Sequence, residues 1–334
     1  MIDLRHHGDR DARPGMVDLA VNVRVGTPAA WLRERLAEVD LARYPDQEEA
    51  VHAVADRHGR AADEVLLTAG AAEAFVLLAR ALRPSLAAVV HPQFTEPEAA
   101  LRAAGHPVER VLLPPPFRLD AALVSPAAEL VIIGNPTNPT SVLHPAQAIR
   151  SLIRPGRLVV VDEAFADCVP GEGESLAGAA LDGLLIIRSL TKTWGLAGLR
   201  VGYVLAAADV ISSLRAAQPL WPVSSPGLAA IVACCRPAAV AEAEAAAVDL
   251  AAVRSELIKR LTALPGVCVA GPADASFVLV RTPRSDVRLR LHDHGFAVRR
   301  GETFPGLDEH WIRVAVRDVE TSAAFVKALQ EVLA

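Results

Sequence analysis

The chain has 334 residues, a formal net charge of −5 and 52% hydrophobic residues, enough for a large core with a smaller companion domain. Acidic balance without a basic cluster argues against nucleic acid as partner, and no stretch has the length and uniform apolarity of a membrane span. Cys168, Cys234, Cys235 and Cys268 have no metal or redox spacing, the histidines include no HExxH pair, and Met1–His7 lacks an apolar signal core, so a metal-free, cytoplasmic protein is expected.

Arg5–Val25 reads as an N-terminal arm: His6-His7-Gly8-Asp9, an irregular Arg/Pro/Gly segment, then alternation over Val17–Val23 that suggests a short strand. Helices are expected over Trp31–Val39 and, after the turn Tyr44-Pro45-Asp46, over Gln47–His58. From Glu64 the texture alternates. Strands are expected at Val65–Thr68, Ala87–His91, Val108–Leu113, Leu130–Gly134, Leu158–Glu163, Leu184–Ser189 and Val201–Leu205, with helices opening after Gly70 and over Glu96–Ala104. Continuous apolar strands separated by helices indicate a mostly parallel sheet covered on both faces, with its ligand at the carboxyl ends. A proline-rich crossing, Gln218–Gly227, leads to helices Leu228–Cys235 and Ala238–Leu264, the second long enough to join two domains. Strands Val267–Ala270, Phe277–Arg281, Val298–Arg299 and Trp311–Val316 then alternate with helices Val287–Asp293 and Val319–Leu333. The expected division is a large domain over 36–235 and a small α+β domain from 1–35 and 236–334.

Between the sixth and seventh strands lies Ser189-Leu190-Thr191-Lys192-Thr193-Trp194-Gly195, continued by Leu196-Ala197-Gly198-Leu199-Arg200. Lys192 is one of three lysines, with Lys259 and Lys327, in a chain whose basic charge is otherwise arginine. An amine can lose its proton, attack a carbonyl and form a Schiff base, which a guanidinium cannot do. The turn Thr68–Glu73 is suited to presenting the backbone N–H groups of Gly70, Ala71 and Ala72 to a phosphate at a helix start. Asn135-Pro136-Thr137-Asn138-Pro139 follows one strand, and Asp162-Glu163-Ala164-Phe165 ends another, which puts Asp162 at an exposed carboxyl end. Taken singly, each has a bland reading as a surface lysine, a proline turn or a capping aspartate.

Together these stretches resemble fold-type I pyridoxal-phosphate (PLP) enzymes, and more narrowly the class I/II aminotransferase superfamily, over nearly the whole chain. The resemblance implies a PLP-dependent transferase fold: α/β, with a mostly parallel seven-stranded sheet and a small α+β domain. It implies that Lys192 carries PLP, that Asp162 pairs with the pyridine nitrogen to make the ring an electron sink, and that Asn138 meets the ring 3′-oxygen. Phe94 would stack on the ring, while Ser189, Thr191 and Arg200 with the amides of Gly70, Ala71 and Ala72 would hold the phosphate. Tyr44 matches a tyrosine that relatives send across a dimer interface to the partner's phosphate, so a homodimer with shared sites is expected. Arg313 matches the arginine that grips a substrate carboxylate. Arg299, with Arg300 and Arg317 nearby, is a candidate for a second anion, and His7 and Asn22 would help to orient the substrate. Two departures stand out: Ala71 and Ala72 offer no hydroxyl, and Phe165 occupies a position where many relatives carry tyrosine.

Two branches fit a small phosphorylated amino substrate. His7-Gly8-Asp9 ahead of the Val17–Asn22 strand, Thr303-Phe304-Pro305-Gly306-Leu307 ahead of Arg313, and Asp-Glu-Ala-Phe resemble the L-threonine-O-3-phosphate decarboxylase of cobalamin biosynthesis, although Asp9 replaces the second glycine of His-Gly-Gly. A lyase releasing carbon dioxide and (R)-1-amino-2-propanol phosphate is therefore expected. The alternative is an aminotransferase acting on histidinol phosphate or another amino acid, and a second alternative is a non-catalytic PLP-fold binding protein.

Overall fold

A computed structural model describes residues 3–334, so the first two residues of the expected 1–35 arm lie outside the described residues. The arm contributes strand β1 (Val17–Leu19) and is followed by helices α1 (Ala30–Ala37) and α2 (Glu48–His58). The chain then runs through β2 (Val65–Thr68), α3 (Ala71–Ala81), β3 (Ala87–His91), α4 (Glu96–Ala103), β4 (Val108–Leu112) and β5 (Leu130–Gly134). Helix α5 (Ala146–Arg150) and strands β6 (Leu158–Asp162), β7 (Leu184–Ser189) and β8 (Gly202–Ala206) complete a seven-stranded sheet of order β2-β8-β7-β6-β5-β3-β4. From β4 to β7 every pairing is parallel, and β8 alone runs against its neighbours.

Both faces of this sheet are covered, which is why its strands read as unbroken apolar runs. Along β6, Val159 and Val161 enter one core and Val160 the other; along β7, Leu184 and Ile186 oppose Leu185 and Ile187. Each such side chain contributes ~1.5–3 kcal/mol by leaving water.

Helices α6 (Ala208–Ala217) and α7 (Ser225–Cys235) lead to α8 (Pro237–Thr262). With 26 residues, α8 is about 39 Å long at 1.5 Å per residue. It packs Ala239 and Ala243 into the large-sheet core and Leu257 and Leu261 into a separate one. That second core belongs to a five-stranded sheet built from β9 (Cys268–Val269), β10 (Phe277–Arg281), β11 (Phe296–Arg300) and β12 (Trp311–Ala315), with α9 (Val287–Asp293) and α10 (Val319–Leu333). Its order is β1-β11-β12-β10-β9, with Val17–Leu19 parallel to Phe296–Val298. The N-terminal arm is thereby stitched into the C-terminal sheet. Helix α10 starts where the Asp318 carboxylate accepts the Thr321 N–H at 2.7 Å. The result is the expected α/β fold with a second, smaller sheet. Among the described residues no helix is long and apolar enough to cross a membrane.

Candidate active site

A cavity of about 470 Å³ lies where the carboxyl ends of β5, β6 and β7 meet the start of α3 and the N-terminal arm. Of the residues singled out from the sequence, His7, Asn22, Ala71, Ala72, Phe94, Asn138, Asp162, Ser189, Thr191, Lys192, Arg200, Arg299 and Arg313 all line it. Tyr44 does not: it is 77% exposed and stacks on Trp221 with ring centroids 4.4 Å apart.

Strand geometry aims the central pair. Successive side chains alternate, so at the ends of β6 and β7 Asp162 and Ser189 face the cavity, while Glu163 and Arg188 turn away and pair at 3.1 Å. Arg188 also meets Glu172 at 2.6 Å, so a buried ion network pins the two strand ends together from behind. Burial pushes the Asp162 carboxyl up to about 6, against the lowering effect of the Ala164 N–H, 3.1 Å away, and of Lys192. Burial, with the nearby charges of Arg313 and Arg200, brings the Lys192 amine down to about 8, while Asp162 acts in the opposite direction. An amine so placed is available as a nucleophile and a base near neutrality.

One end of the cavity is shaped for a phosphate. Gly70 precedes α3 with φ +75°, leaving the first N–H groups of the helix without intrahelical acceptors. A Cβ at Gly70 would stand 2.9 Å from Arg200 Nη2, so glycine is what lets the guanidinium reach this turn. Arg200 itself holds a left-handed φ of +54°, a strained conformation of the kind that collects at ligand sites. Ser189 and Thr191 share a hydroxyl hydrogen bond of 2.8 Å beside it. A cation, a helix N-terminus and two hydroxyls at one end, with a buried acid and a near-neutral amine beyond, fit PLP in size and chemistry.

The opposite wall carries Arg313, which is 6% exposed. Its guanidinium donates to Asn138 Oδ1 at 2.5 Å and to the Ala20 carbonyl. With its amide oxygen turned toward the guanidinium, Asn22 accepts at 3.1 and 3.2 Å. Among the described residues none of these partners is a carboxylate. Burial first, then Arg299, lowers the affinity of Arg313 for its proton, and a guanidinium remains cationic regardless. Arg299 reaches the cavity, but its Nη1 is paired with Asp11 at 3.2 Å. His7 Nε2 donates to the Glu96 carboxylate at 2.7 Å and the ring packs against Phe94, which straps the arm over the site. Glu96 and Asp11 were not singled out from the sequence; apart from His6, which meets Asp11 at 3.2 Å, their partners lie up to 289 positions away.

The chain matches the family model for aminotransferase class I and II over residues 14–329. It is 52% identical over 319 residues to the histidinol-phosphate aminotransferases of Mycobacterium tuberculosis and Mycobacterium bovis, covering 94% of this chain and 87% of theirs. A threonine-phosphate decarboxylase of Salmonella typhimurium matches at 29% identity over 95% of this chain and 91% of its own. The crystal structure of the histidinol-phosphate aminotransferase from Clostridium acetobutylicum shares the fold, with a TM-score of 0.85 at 23% identity, over 94% of this chain and 98% of that one. The expected decarboxylase is thus corrected, since relatives with half their residues identical carry the aminotransferase name. Two phenylalanines of the motifs that favoured decarboxylation line the cavity and also make aromatic contacts there. Phe165 sits edge-on against Phe277 at 4.9 Å, and Phe304 lies under the Arg299 guanidinium at 4.9 Å. With this correction, the chain belongs to the class I and II aminotransferase family and is a pyridoxal-phosphate-dependent enzyme.

Proposed function

We propose that the protein is an aminotransferase whose amino donor is histidinol phosphate or a closely similar amine bearing one phosphate. The reading includes a cytoplasmic homodimer in which the partner's Tyr44 completes each site. One observation carries it: a buried guanidinium, Arg313, held by neutral oxygens and facing the same cavity as Lys192. The names of the relatives at 52% identity support the same substrate class.

Bound PLP supplies an electron-accepting ring for the electron pair left when a proton leaves the substrate carbon. The chain's residues do the rest. Arg313 anchors the anionic end and so fixes which bond at that carbon faces Lys192. Lys192 Nζ, near neutrality in its affinity, takes that proton and returns it. Asp162 would hold a negative charge toward the pyridine nitrogen and keep the ring an electron sink, and Ser189, Thr191, Arg200 and the start of α3 would hold the phosphate. The arm, tied down through His7 and Glu96, limits water at the reacting atoms. In the overall exchange the donor amine becomes a carbonyl and a 2-oxo acid receives the amino group.

The test is steady-state turnover of the PLP-loaded protein with histidinol phosphate and 2-oxoglutarate. Glutamate formed in step with donor consumed supports the reading; absence of amino transfer from any phosphorylated amine refutes it.

A further inference from the structure

The loop that follows β5 carries Asn138 into the cavity wall, and His144, 1% exposed, is packed behind it without lining the cavity. The hydrogen bonds of His144 leave no choice of tautomer. Nδ1 accepts the Leu119 N–H at 3.2 Å, so the ring proton is on Nε2, which stands 3.2 Å from Thr137 Oγ1. The Thr137 hydroxyl gives its single hydrogen to the Gly134 carbonyl at 2.6 Å and therefore accepts from the ring. Burial takes the imidazole down to about 4, so it stays neutral and keeps one donor and one acceptor. The backbone of His144 is bracketed as well: its N–H donates to Asn135 Oδ1 at 2.7 Å and its carbonyl accepts from Asn135 Nδ2 at 3.1 Å. Thr137 precedes Asn138, whose Oδ1 accepts from Arg313 and so leaves Nδ2 as the donor available to a ligand. Phe165, on the cavity wall, offers no hydroxyl to share that role.

We infer that His144 is a positioning residue: through Thr137 it fixes the Asn138 amide as a hydrogen-bond donor to the PLP ring 3′-oxygen, and so sets the proton affinity of the Lys192 nitrogen once the cofactor is bound. An N–H donated to that oxygen stabilises its negative charge when the neighbouring nitrogen loses its proton. Displacing the donor therefore raises the pH at which the nitrogen titrates. The inference rests on the reading of Asn138 as the partner of the 3′-oxygen; His144 itself touches neither cofactor nor substrate.

The experiment titrates the visible absorbance of the PLP-loaded protein with pH, which reports the Lys192 nitrogen without turnover. Arg313, Arg200, Asp162 and Cys168 also bear on that nitrogen and are kept in every variant. His144→Gln retains an amide N–H near the Nε2 position for Thr137, whereas His144→Asn retains only an oxygen near the Nδ1 position for Leu119. Asn138→Ala is expected to raise the midpoint by about one pH unit, the scale of one charge-assisted hydrogen bond. His144→Asn is expected to raise it by about half a unit, and His144→Gln to leave it as in the wild type. On an Asn138→Ala background, His144→Asn should add nothing. An unmoved midpoint in His144→Asn, equal shifts in the Gln and Asn variants, or an undiminished shift without Asn138 overturns the inference, since packing alone would give those results. If Asn138→Ala leaves the midpoint unmoved, the reading of Asn138 fails, and the inference with it. Nitrogen NMR of the wild type needs no variant to fold: an Nε2–H ring for His144 at about pH 6 supports the inference, and an Nδ1–H or protonated ring overturns it.

Discussion

Replacing Arg313 by lysine keeps the charge and removes the fork. In the structure the guanidinium already serves Asn138 Oδ1 at 2.5 Å, the Ala20 carbonyl and, at 3.1 and 3.2 Å, Asn22, while still facing the cavity. An ammonium on a flexible stem can meet some of these oxygens but cannot also offer a ligand two parallel N–H groups. Losing one charge-assisted hydrogen bond to the substrate costs ~1.5–3 kcal/mol, or roughly 10- to 150-fold in kcat/KM. If the anion is held equally in the ground and transition states, the loss falls mainly on KM. The assay is steady-state kinetics with histidinol phosphate and 2-oxoglutarate, with thermal melting of the same samples to detect core damage. A variant that melts like wild type and stays within twofold of its kcat/KM refutes the reasoning.

The remaining predictions follow from the same geometry. Asp162→Asn should abolish most turnover and, because the Asp162 charge raises the proton affinity of Lys192, should move the amine of the apoprotein further below about 8; an unchanged pH profile for labelling Lys192 contradicts this. Gly70→Ala places a Cβ 2.9 Å from Arg200 Nη2 at φ +75°, which costs ~1–2 kcal/mol in backbone alone, so PLP should dissociate about tenfold more readily. Equal PLP affinity in a fluorescence titration would count against the phosphate end proposed here. In the apoprotein Asp162 titrates near 6 against 3.8 for its ordinary value. Its folded pKa is raised, so the cost of burying the anion, on the order of 2–3 kcal/mol, is fully present above pH 6 and relieved as pH falls toward 4. Urea unfolding of apoprotein and Asp162→Asn should therefore diverge as pH rises from 4 to 6, with the variant gaining; parallel curves would contradict it.

Much of the large sheet was legible because strands covered on both faces must be apolar at every position. The runs at Val65–Thr68, Ala87–His91, Leu130–Gly134 and Leu184–Ser189 coincide with observed strands. Small shifts have local causes. The strand expected to reach Glu163 ends at Asp162, where Glu163 turns to Arg188, and β8 starts at Gly202, opposite Ser189. Helix α6 was not anticipated: it buries only Ile211 and Leu214, too few for a readable periodicity. Around the cavity, Asp162 ends one strand, Lys192 and Arg200 stand in the loop between two others, and Arg313 is the middle residue of β12, so their placement follows from the strand pattern. Apart from the local contact of Asp11 with His6, Asp11 and Glu96 act through partners brought near by the fold, and no pattern within the arm or α4 announces them. The branch was misread because Phe165 and Phe304, which line the cavity, make contacts with Phe277 and Arg299 that do not say which bond is broken.

The central claim is that one amine holds the cofactor beside a buried acid. Lys192, Lys259 and Lys327 are the chain's lysines, and the latter two are exposed on helices. Borohydride reduction of the PLP-loaded protein, followed by peptide mass mapping, tests the claim directly. The account predicts the reduced cofactor on the peptide carrying Lys192 and on no other. A label on Lys259 or Lys327 alone, or none at all, would contradict it.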